Sequence, residues 1–255
     1  MKLRRFAVIS DIHSNIEALT AVFADIDKRE IDRIFCLGDV IGYGPDPEPC
    51  VDLIAKRCEF TIRGNHDDAL FTSADRFNPY ARNALNWTRD RLAPGFFRPR
   101  ANRARWKFLQ GLELDKRIGE LYFVHGSPRD PVNEYIYRED VFFNAEGKLK
   151  TIFQKVDRAL FVGHTHLPMV LTDSLKSFVP EEDGASFDLE DERYIINVGS
   201  VGQPRDRDTR ACYVEYDEGR ITFHRVVYDI DAVVARIESC RALDPVLGTR
   251  LRDGM

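Results

Sequence analysis

Short apolar runs alternate with helical periodicity over the first 70 residues of the chain. Runs with the length of buried strands occupy residues 6–9, 34–37 and 60–62. Between the first two runs, Ile16, Leu19, Phe23 and Ile26 recur at helical spacing, and prolines 45, 47 and 49 precede a second helical stretch. This β-α-β-α-β order predicts a parallel sheet with right-handed crossovers, in which ligands bind at the carboxyl ends of the strands.

The remainder of the chain divides into a helical part and a β-rich part. Residues 68–118 are rich in arginine, asparagine and aromatic side chains, which predicts a helical insertion that could act as a lid. Strand patterns return at 121–124, 160–162, 194–196, 212–216 and 221–228, and a helix is predicted over 229–241. The polar segment 173–192 is predicted to be a hairpin or an exposed loop. No internal repeat or flexible linker is evident, so residues 1–255 are predicted to form a single domain.

Composition and charge argue against several classes of protein. Hydrophobic residues make up 44% and charged residues 31% of the chain, as in ordinary globular proteins, and the net charge of −5 argues against a broad nucleic-acid-binding face. No apolar run reaches the roughly 18 residues of a membrane-spanning helix, and the stretch before Asp11 is too short for a signal peptide. The five cysteines are scattered and none forms a CxxC pair, which favours a reducing, cytoplasmic location.

Polar residues with ligand chemistry follow the predicted strands at the points where the strands end. These residues are His13, His66, His125, His164, His166, Asp11, Asp39 and Asn65. Because parallel strands end at one edge of a sheet, these side chains can meet although more than 150 residues separate the first from the last. Imidazole combined with carboxylate and amide oxygen suits Mn, Fe, Zn, Co or Ni better than Ca. Eight ligand contacts can serve two divalent ions if one carboxylate bridges them.

Five sequence blocks resemble those of the calcineurin-like metallophosphoesterases, in the same order. The blocks are Asp11-Ile12-His13, Gly38-Asp39, Gly64-Asn65-His66-Asp67, His125-Gly126 and Gly163-His164-Thr165-His166. The resemblance covers residues 3 to about 205, and the first three blocks are roughly 25 residues apart. It implies an α/β fold, a four-layer α/β/β/α sandwich with two mixed sheets, and a dinuclear metal site.

The resemblance also implies a role for each matching residue. One ion would be held by Asp11, His13, Asp39 and His166, and the other by Asp39, Asn65, His125 and His164, with Asp39 bridging. Manganese is the first choice for both ions, with iron, zinc, cobalt and nickel as alternatives. His66 would contact the substrate phosphoryl group or protonate the leaving oxygen, and Asp67 would orient His66. Arg63 would contact phosphate through its guanidinium, and Asn65 would also face the substrate.

A narrower resemblance connects the chain to a prokaryotic branch similar to both Ser/Thr protein phosphatases and diadenosine tetraphosphate hydrolases. It rests on residues 11–15, 38–45 and 197–205. Residues 41–44 read Ile-Gly-Tyr-Gly where the protein phosphatases carry Asp-Arg-Gly, which argues against a phosphoprotein substrate.

The expected reaction is therefore hydrolysis of a small phosphate-containing substrate, a phosphodiester or dinucleoside polyphosphate, by attack of a metal-bridging hydroxide on phosphorus. A phosphomonoesterase or protein phosphatase, an enzyme acting on nucleic-acid strands, and a non-catalytic scaffold of the same fold are the alternatives. Nucleic acid ranks last among the substrates because the chain lacks a long basic stripe. A homo-oligomer is left open.

Further residues are candidates for the surroundings of the site. Tyr43, in the loop after Asp39, is the best candidate for an aromatic side chain that faces the substrate, and Asn15 and residues 199–205 are assigned to the rim. The basic cluster over 98–107 is interpreted as a solvated helix face rather than a polyphosphate-binding cleft. The aromatic residues of the insertion are assigned to its own core, and His224 is assigned to the surface of a strand.

Overall fold

A computed structural model of the chain describes residues 4–255, so residues 1–3 of the predicted domain lie outside the described residues. Within this range, the strands are β1 (Arg5–Ile9), β2 (Ile34–Cys36), β3 (Phe60–Thr61), β4 (Asp115–Ile118), β5 (Leu121–Val124), β6 (Ala159–Val162), β7 (Met169–Thr172), β8 (Ser177–Phe178), β9 (Ser186–Asp188), β10 (Tyr194–Asn197), β11 (Ala211–Asp217) and β12 (Arg220–Val226). The helices are α1 (Ile16–Lys28), α2 (Pro47–Arg57), α3 (Asn65–Ala69), α4 (Pro79–Leu92), α5 (Ala101–Gln110), α6 (Asp140–Phe143), α7 (Lys150–Phe153), α8 (Ile230–Ser239) and α9 (Val246–Asp253), and a π-helical turn spans Ala145–Leu149.

The described strands form two mixed sheets of six strands each. The first sheet has the order β3-β2-β1-β11-β12-β9, and β1, β2 and β3 are parallel to one another. The second has the order β4-β5-β6-β10-β7-β8, and β5, β6 and β10 are parallel. The other neighbours are antiparallel. Each sheet therefore has a parallel segment whose strands end at a common edge, as the sequence predicts for the first sheet.

Successive side chains of the central strands enter different layers of the molecule. Phe6 of β1 packs between the sheets against Phe123 and Phe161 of the second sheet, with ring centroids 6.0 and 5.9 Å apart. Its neighbour Ala7 belongs to the core on the opposite face of the first sheet, beneath the helices. Because both faces are buried, β1 reads in the sequence as a continuous apolar run rather than an alternating one.

Helices cover the outer face of each sheet. Helix α1 buries Leu19, Phe23 and Ile26 against the first sheet, because these positions form one stripe along the helix. Ile152 and Phe153 of α7 pack on the outer face of the second sheet. The layers therefore run helix, sheet, sheet, helix, and the predicted four-layer α/β/β/α sandwich with two mixed sheets is confirmed.

Three parts of the chain differ from the prediction. The end of the predicted helical insertion forms the strand β4, whose alternating exposed and half-buried charged residues hide its strand character. The segment 173–192 is largely exposed, as one of its two predicted alternatives has it, but β8 and β9 within it do not form a hairpin with each other. β8 pairs with β7 in the second sheet, whereas β9 pairs with β12 in the first. Helix α9 follows the predicted C-terminal helix α8, packs against it, and has no counterpart in the sequence prediction.

Two assignments of single side chains are wrong. His224 is only 3% exposed and therefore buried, because α1 covers the face of β12 that carries it. Its Nε2 atom lies 2.9 Å from Oε2 of Glu215. Phe96 and Phe97 of the insertion are 92% and 95% exposed, because the loop between α4 and α5 carries them away from the core. Tyr80 is also exposed, at 45%, and Trp87 and Trp106 pack against the main core beside the first sheet rather than in a core of the insertion. The basic cluster over 98–107 is largely exposed, as predicted.

Among residues 4–255, no helix has both the length and the apolar character that crossing a lipid bilayer requires.

Candidate metal centre

The seven predicted ligand residues and His66 converge because each follows the carboxyl end of a parallel strand. The first sheet contributes Asp11 and His13 after β1, Asp39 after β2, and Asn65 and His66 after β3, and the second contributes His125 after β5 and His164 and His166 after β6. All of them are buried except Asn65, which is half-buried. The facing edges of the two sheets thus bring together all eight residues that the sequence singled out.

Five of these residues have a left-handed backbone conformation, which is uncommon outside glycine. The φ angles are 55° at Asp11, 49° at His13, 51° at Asp39, 67° at His164 and 62° at His166. The amides of Asp11 and His13 donate to the carbonyl oxygens of Gly38 and Asp39 at 3.0 and 2.9 Å, which holds the two loops together. Such strain costs about 1–3 kcal/mol per residue and is typical of functional sites, where the surrounding structure must maintain it.

His13 and His166 face each other with unprotonated nitrogens. Nδ1 of His13 donates to the Ile41 carbonyl at 3.2 Å, and Nδ1 of His166 donates to the Gln203 carbonyl at 2.5 Å. These hydrogen bonds leave both Nε2 atoms as acceptors, although only 3.1 Å separates them. Oδ1 of Asp11 lies 3.2 Å from Nε2 of His166 and, although buried, has no hydrogen-bond partner among the described residues. Three electron-rich atoms therefore surround one point.

His125 and His164 form a second group of the same kind. Nδ1 of His125 donates to the Leu37 carbonyl at 2.8 Å, whereas His164 uses Nε2 to donate to the Asn133 carbonyl at 3.2 Å. The remaining nitrogens, Nε2 of His125 and Nδ1 of His164, lie 3.2 Å apart. Oδ1 of Asn65 lies 3.1 Å from Nε2 of His125 and completes the group. A backbone carbonyl that fixes the tautomer of a histidine is the usual partner of a metal-binding imidazole.

Asp39 lies between the two groups. Its Oδ2 atom is 3.7 Å from Nε2 of His13 and 3.5 Å from Nε2 of His125. Its Oδ1 atom accepts a hydrogen bond of 2.8 Å from the backbone amide of His66, which fixes the carboxylate in place. Gly64 permits this approach, because a Cβ atom there would lie 2.0 Å from Oδ1 of Asp39. One carboxylate oxygen is thus shared by both groups, as a bridging ligand would be.

The donor atoms fit divalent metal ions in both chemistry and spacing. Tetrahedral ligands about 2.1 Å from one ion are about 3.4 Å apart, and the facing donor atoms here are 3.1–3.8 Å apart. Burial lowers the pKa of His13 well below its usual value and that of His164 to about 3, so both imidazoles are neutral and able to bind a metal. Burial, together with the charge of Asp11, raises the pKa of Asp39, and an adjacent cation would restore its charged form.

His66 lies beside the metal-binding groups with its ring held by three others. The centroid of its ring is 4.7 Å from His13, 4.5 Å from Tyr43 and 4.9 Å from Phe77. Its Nδ1 atom is buried without a hydrogen-bond partner among the described residues and points toward Gly42. Packing therefore holds the ring in place, and burial lowers its pKa well below the usual value.

The structure gives Asp67 and Arg63 contacts that differ from the expected ones. The Asp67 carboxylate accepts hydrogen bonds from the backbone amides of Val40 and Gly64 at 3.0 and 3.1 Å, and therefore holds the loop after β2 rather than the His66 ring. The Arg63 guanidinium donates to the carbonyl of Gln110 at 2.7 Å and also contacts Asp68 at 3.4 Å. Its contact with phosphate stays a prediction, because Arg63 does not line the cavity beside the metal-binding groups.

A cavity of about 390 Å³ opens beside the two groups. Its lining residues are Asp39, Tyr43, Asn65, His66, Arg76, Phe77, Asn78, Asn133, Tyr135, His164, His166 and Arg205. The Tyr135 ring stacks on His164 with centroids 3.8 Å apart, and Tyr43 reaches the cavity as expected from the sequence. The cavity therefore combines candidate metal ligands, two arginines and several aromatic rings, which suits an anionic organic ligand.

Comparison with known proteins identifies the family to which the chain belongs. Residues 4–196 match the family model of the calcineurin-like phosphoesterases. The chain belongs to this family. The chain is also 38% identical, over 96% of both sequences, to an uncharacterized protein of Methanocaldococcus jannaschii.

Two solved structures show the same fold as this calcineurin-like phosphoesterase. One is a metallophosphoesterase from Sphaerobacter thermophilus, with 37% identity, a TM-score of 0.83 and full coverage of both chains. The other is a hypothetical protein from Pyrococcus horikoshii, with 21% identity, a TM-score of 0.76 and 99% coverage of both chains. Membership of this family implies hydrolysis of phosphoesters and dependence on metal ions.

The cavity of this calcineurin-like phosphoesterase includes residues that sequence reasoning missed. Arg76, Phe77 and Asn78 come from the start of the insertion, and Asn133 and Tyr135 from the loop after β5. No periodicity or ligand chemistry distinguishes these positions in the sequence. Arg205 belongs to the segment 199–205, which the sequence assigns to the rim of the site, and it lines the cavity. Asn15, which the sequence also assigns to the rim, caps α1 and donates to the Gly202 carbonyl at 2.9 Å.

Proposed function

We propose that this family member holds two divalent metal ions, preferentially manganese, and hydrolyses a phosphodiester or a dinucleoside polyphosphate. The observation that carries the proposal is the position of Asp39, whose Oδ2 atom lies 3.7 Å from His13 and 3.5 Å from His125. A carboxylate shared by two groups of neutral imidazoles is the arrangement that two adjacent ions require. When bound, such ions act as Lewis acids and activate water near neutral pH.

The residues of the chain supply position and charge. Asp11, His13, Asp39 and His166 would hold one ion, and Asp39, Asn65, His125 and His164 the other. His66 would contact the phosphoryl group or deliver a proton to the leaving oxygen, since its ring lines the cavity and is packed against Tyr43 and Phe77. Tyr43 and Asn65 would face the substrate from the same cavity.

A small substrate is supported by the walls of the cavity. The insertion contributes Phe77 and Asn78 to one side, and the loop after β5 contributes Asn133 and Tyr135 to another. A cavity of about 390 Å³ falls in the size range of small-molecule sites. All five cysteines are free, which supports a reducing, cytoplasmic location.

The first test is hydrolysis of bis-p-nitrophenyl phosphate beside p-nitrophenyl phosphate, with added Mn²⁺ and with a chelator. We expect faster cleavage of the diester, abolished by the chelator and restored by Mn²⁺. Faster cleavage of the monoester would replace the proposal with a phosphomonoesterase. Turnover of neither compound by metal-free protein that takes up no Mn²⁺ would indicate a scaffold instead.

A further inference from the structure

Arg205 enters the cavity without an acidic partner. Its terminal nitrogen donates to Oε1 of Gln203 at 2.8 Å and lies 3.5 Å from the Tyr43 hydroxyl, and neither partner carries a charge. Its Nε atom is buried and has no hydrogen-bond partner among the described residues. The buried Arg225, by contrast, contacts both Asp206 and Asp208. A partly buried guanidinium that is not paired with a carboxylate is costly unless an anionic ligand completes it.

Arg76 provides a second guanidinium on the lining of the same cavity. It belongs to the loop between α3 and α4, is exposed to solvent, and forms no salt bridge within residues 4–255. Elsewhere in the insertion, Arg91 and Arg105 contact the carboxylates of Glu48 and Asp52. Two arginines that lack carboxylate partners and line one cavity point to a ligand with more negative charge than a single esterified phosphate carries.

Arg205 lies on the His66 side of the cavity, and Arg76 lines the same cavity next to Phe77. Tyr43 lies between Arg205 and His66. The centroid of its ring is 4.5 Å from that of the His66 ring and 5.9 Å from the Arg205 guanidinium carbon. Phe77, the neighbour of Arg76, packs on His66 with ring centroids 4.9 Å apart. If His66 assists the leaving oxygen, the Arg205 guanidinium lies where the leaving group of the substrate would be, and Arg76 lines the same cavity.

We propose that Arg205 and Arg76 bind a second phosphate group on the leaving side of the scissile bond, so that the substrate is a phosphoric anhydride. This inference rests on the proposed function, because it takes the phosphate at the metal centre as the one attacked. The two arginines would favour polyphosphates over simple diesters, because the leaving group of a simple diester carries no charge before cleavage.

The reaction requires only water as the second reactant. The oxygen of water forms a bond to the attacked phosphorus, and the bond from that phosphorus to the bridging oxygen breaks. The bridging oxygen leaves with the electron pair as part of the second phosphate, where Arg205 and Arg76 stabilise its charge. One proton of the water ends on the leaving oxygen and the other passes to solvent.

The test compares a ligand that has neighbouring phosphates with one that has none. Binding of inorganic tripolyphosphate and of orthophosphate to the metal-loaded protein is measured by titration calorimetry for wild type, Arg205→Gln and Arg76→Gln. We expect the affinity for tripolyphosphate to fall about 10–100-fold in Arg205→Gln and the affinity for orthophosphate to fall less than about 3-fold. Arg205→Lys should recover part of the lost affinity, since it keeps the charge.

Arg98→Gln is the matched control, because Arg98 is an exposed arginine of the insertion and does not line the cavity. Metal content and thermal unfolding of each variant show whether it has folded and is loaded. Equal losses for both ligands, or no loss for either, would overturn the inference, as would a wild-type protein that does not bind tripolyphosphate. Arginine-dependent binding of tripolyphosphate by a metal-loaded protein that hydrolyses neither a phosphoester nor a phosphoric anhydride would refute the proposed function and leave the anion site standing.

Discussion

Nε2 of His125 lies 3.2 Å from Nδ1 of His164, and each ring donates its other nitrogen to a backbone carbonyl. The two imidazoles therefore face each other through different nitrogens and with acceptor lone pairs. A bound cation would relieve the repulsion between these lone pairs, and the nearby carboxylate of Asp39 would attract such a cation. The metal-free protein should accordingly be less stable than the loaded one.

Removal of metal is therefore expected to lower the thermal stability. Metal at about 100 times its dissociation constant adds about 2.7 kcal/mol, which corresponds to about 5–10 °C for a chain of this size. Unfolding is followed by calorimetry on protein treated with a chelator, before and after Mn²⁺ is restored, with metal content determined by elemental analysis. Ca²⁺ serves as the control ion, because imidazole ligands do not suit it. An unchanged melting temperature after complete metal removal and reloading would contradict the metal centre.

Replacement of Asp39 by asparagine should remove metal and activity together. Loss of even an outer hydrogen-bonding partner costs 10–100-fold in metal affinity, so loss of a shared carboxylate should cost more than about 100-fold. Metal content by elemental analysis and turnover of the diester are measured side by side. Asp188→Asn, at an exposed position on β9, is the matched control and should retain both. Full metal occupancy in Asp39→Asn would show that Asp39 is not a bridging ligand.

Replacement of His66 by alanine should separate metal binding from turnover. General acid–base assistance contributes about 10²–10⁴-fold, so the turnover number should fall by that factor while metal content stays at the wild-type level. The two quantities are measured on the same preparation. If His66→Ala emptied the site of metal, His66 would be a ligand, an outcome that its position beside His13 and Asp39 makes worth testing.

Gly42→Ala should displace His66 without touching a metal-binding residue directly. A Cβ atom at position 42 would lie 2.2 Å from Nδ1 of His66, and the left-handed φ of 93° adds strain. A misplacement of about 1 Å typically costs about 100-fold in rate, which we expect for the turnover number. Gly147→Ala is the control, since no atom lies within 4 Å of its Cβ position. Equal activity of the two variants would mean that the orientation of His66 is unimportant.

Phe123→Ala should destabilise the packing between the sheets. Phe123 is fully buried and stacks on Phe161 with centroids 5.1 Å apart, so its truncation should cost about 3–5 kcal/mol in free energy of unfolding. Phe97→Ala is the matched control, because Phe97 is 95% exposed, and it should change stability by less than about 0.5 kcal/mol. Urea unfolding measures both. Similar losses of unfolding free energy in the two variants would show that Phe123 does not belong to the core between the sheets.

The order of elements could be read from the sequence where local patterns are strong. β1 and α1 were predictable because a buried strand and an amphipathic helix each leave a clear hydrophobic pattern. β4 was not, because it is a short edge strand of charged residues held by its pairing with β5. His224 shows the same limit, since its burial depends on α1, which is almost 200 residues away in the chain.

The metal centre was predictable as a set of residues and not as an arrangement. The sequence by itself indicated the set from Asp11 to His166, because these histidines and acids cluster after apolar strands and match the ordered blocks of the family. Only the tertiary structure decided that Asp39 lies between the two groups, that Asp67 holds a loop, and that Arg205 rather than Arg63 lines the cavity. The physical reason is that these contacts join segments far apart in the chain. Their distances depend on how two sheets pack, and no local pattern in the sequence records that packing.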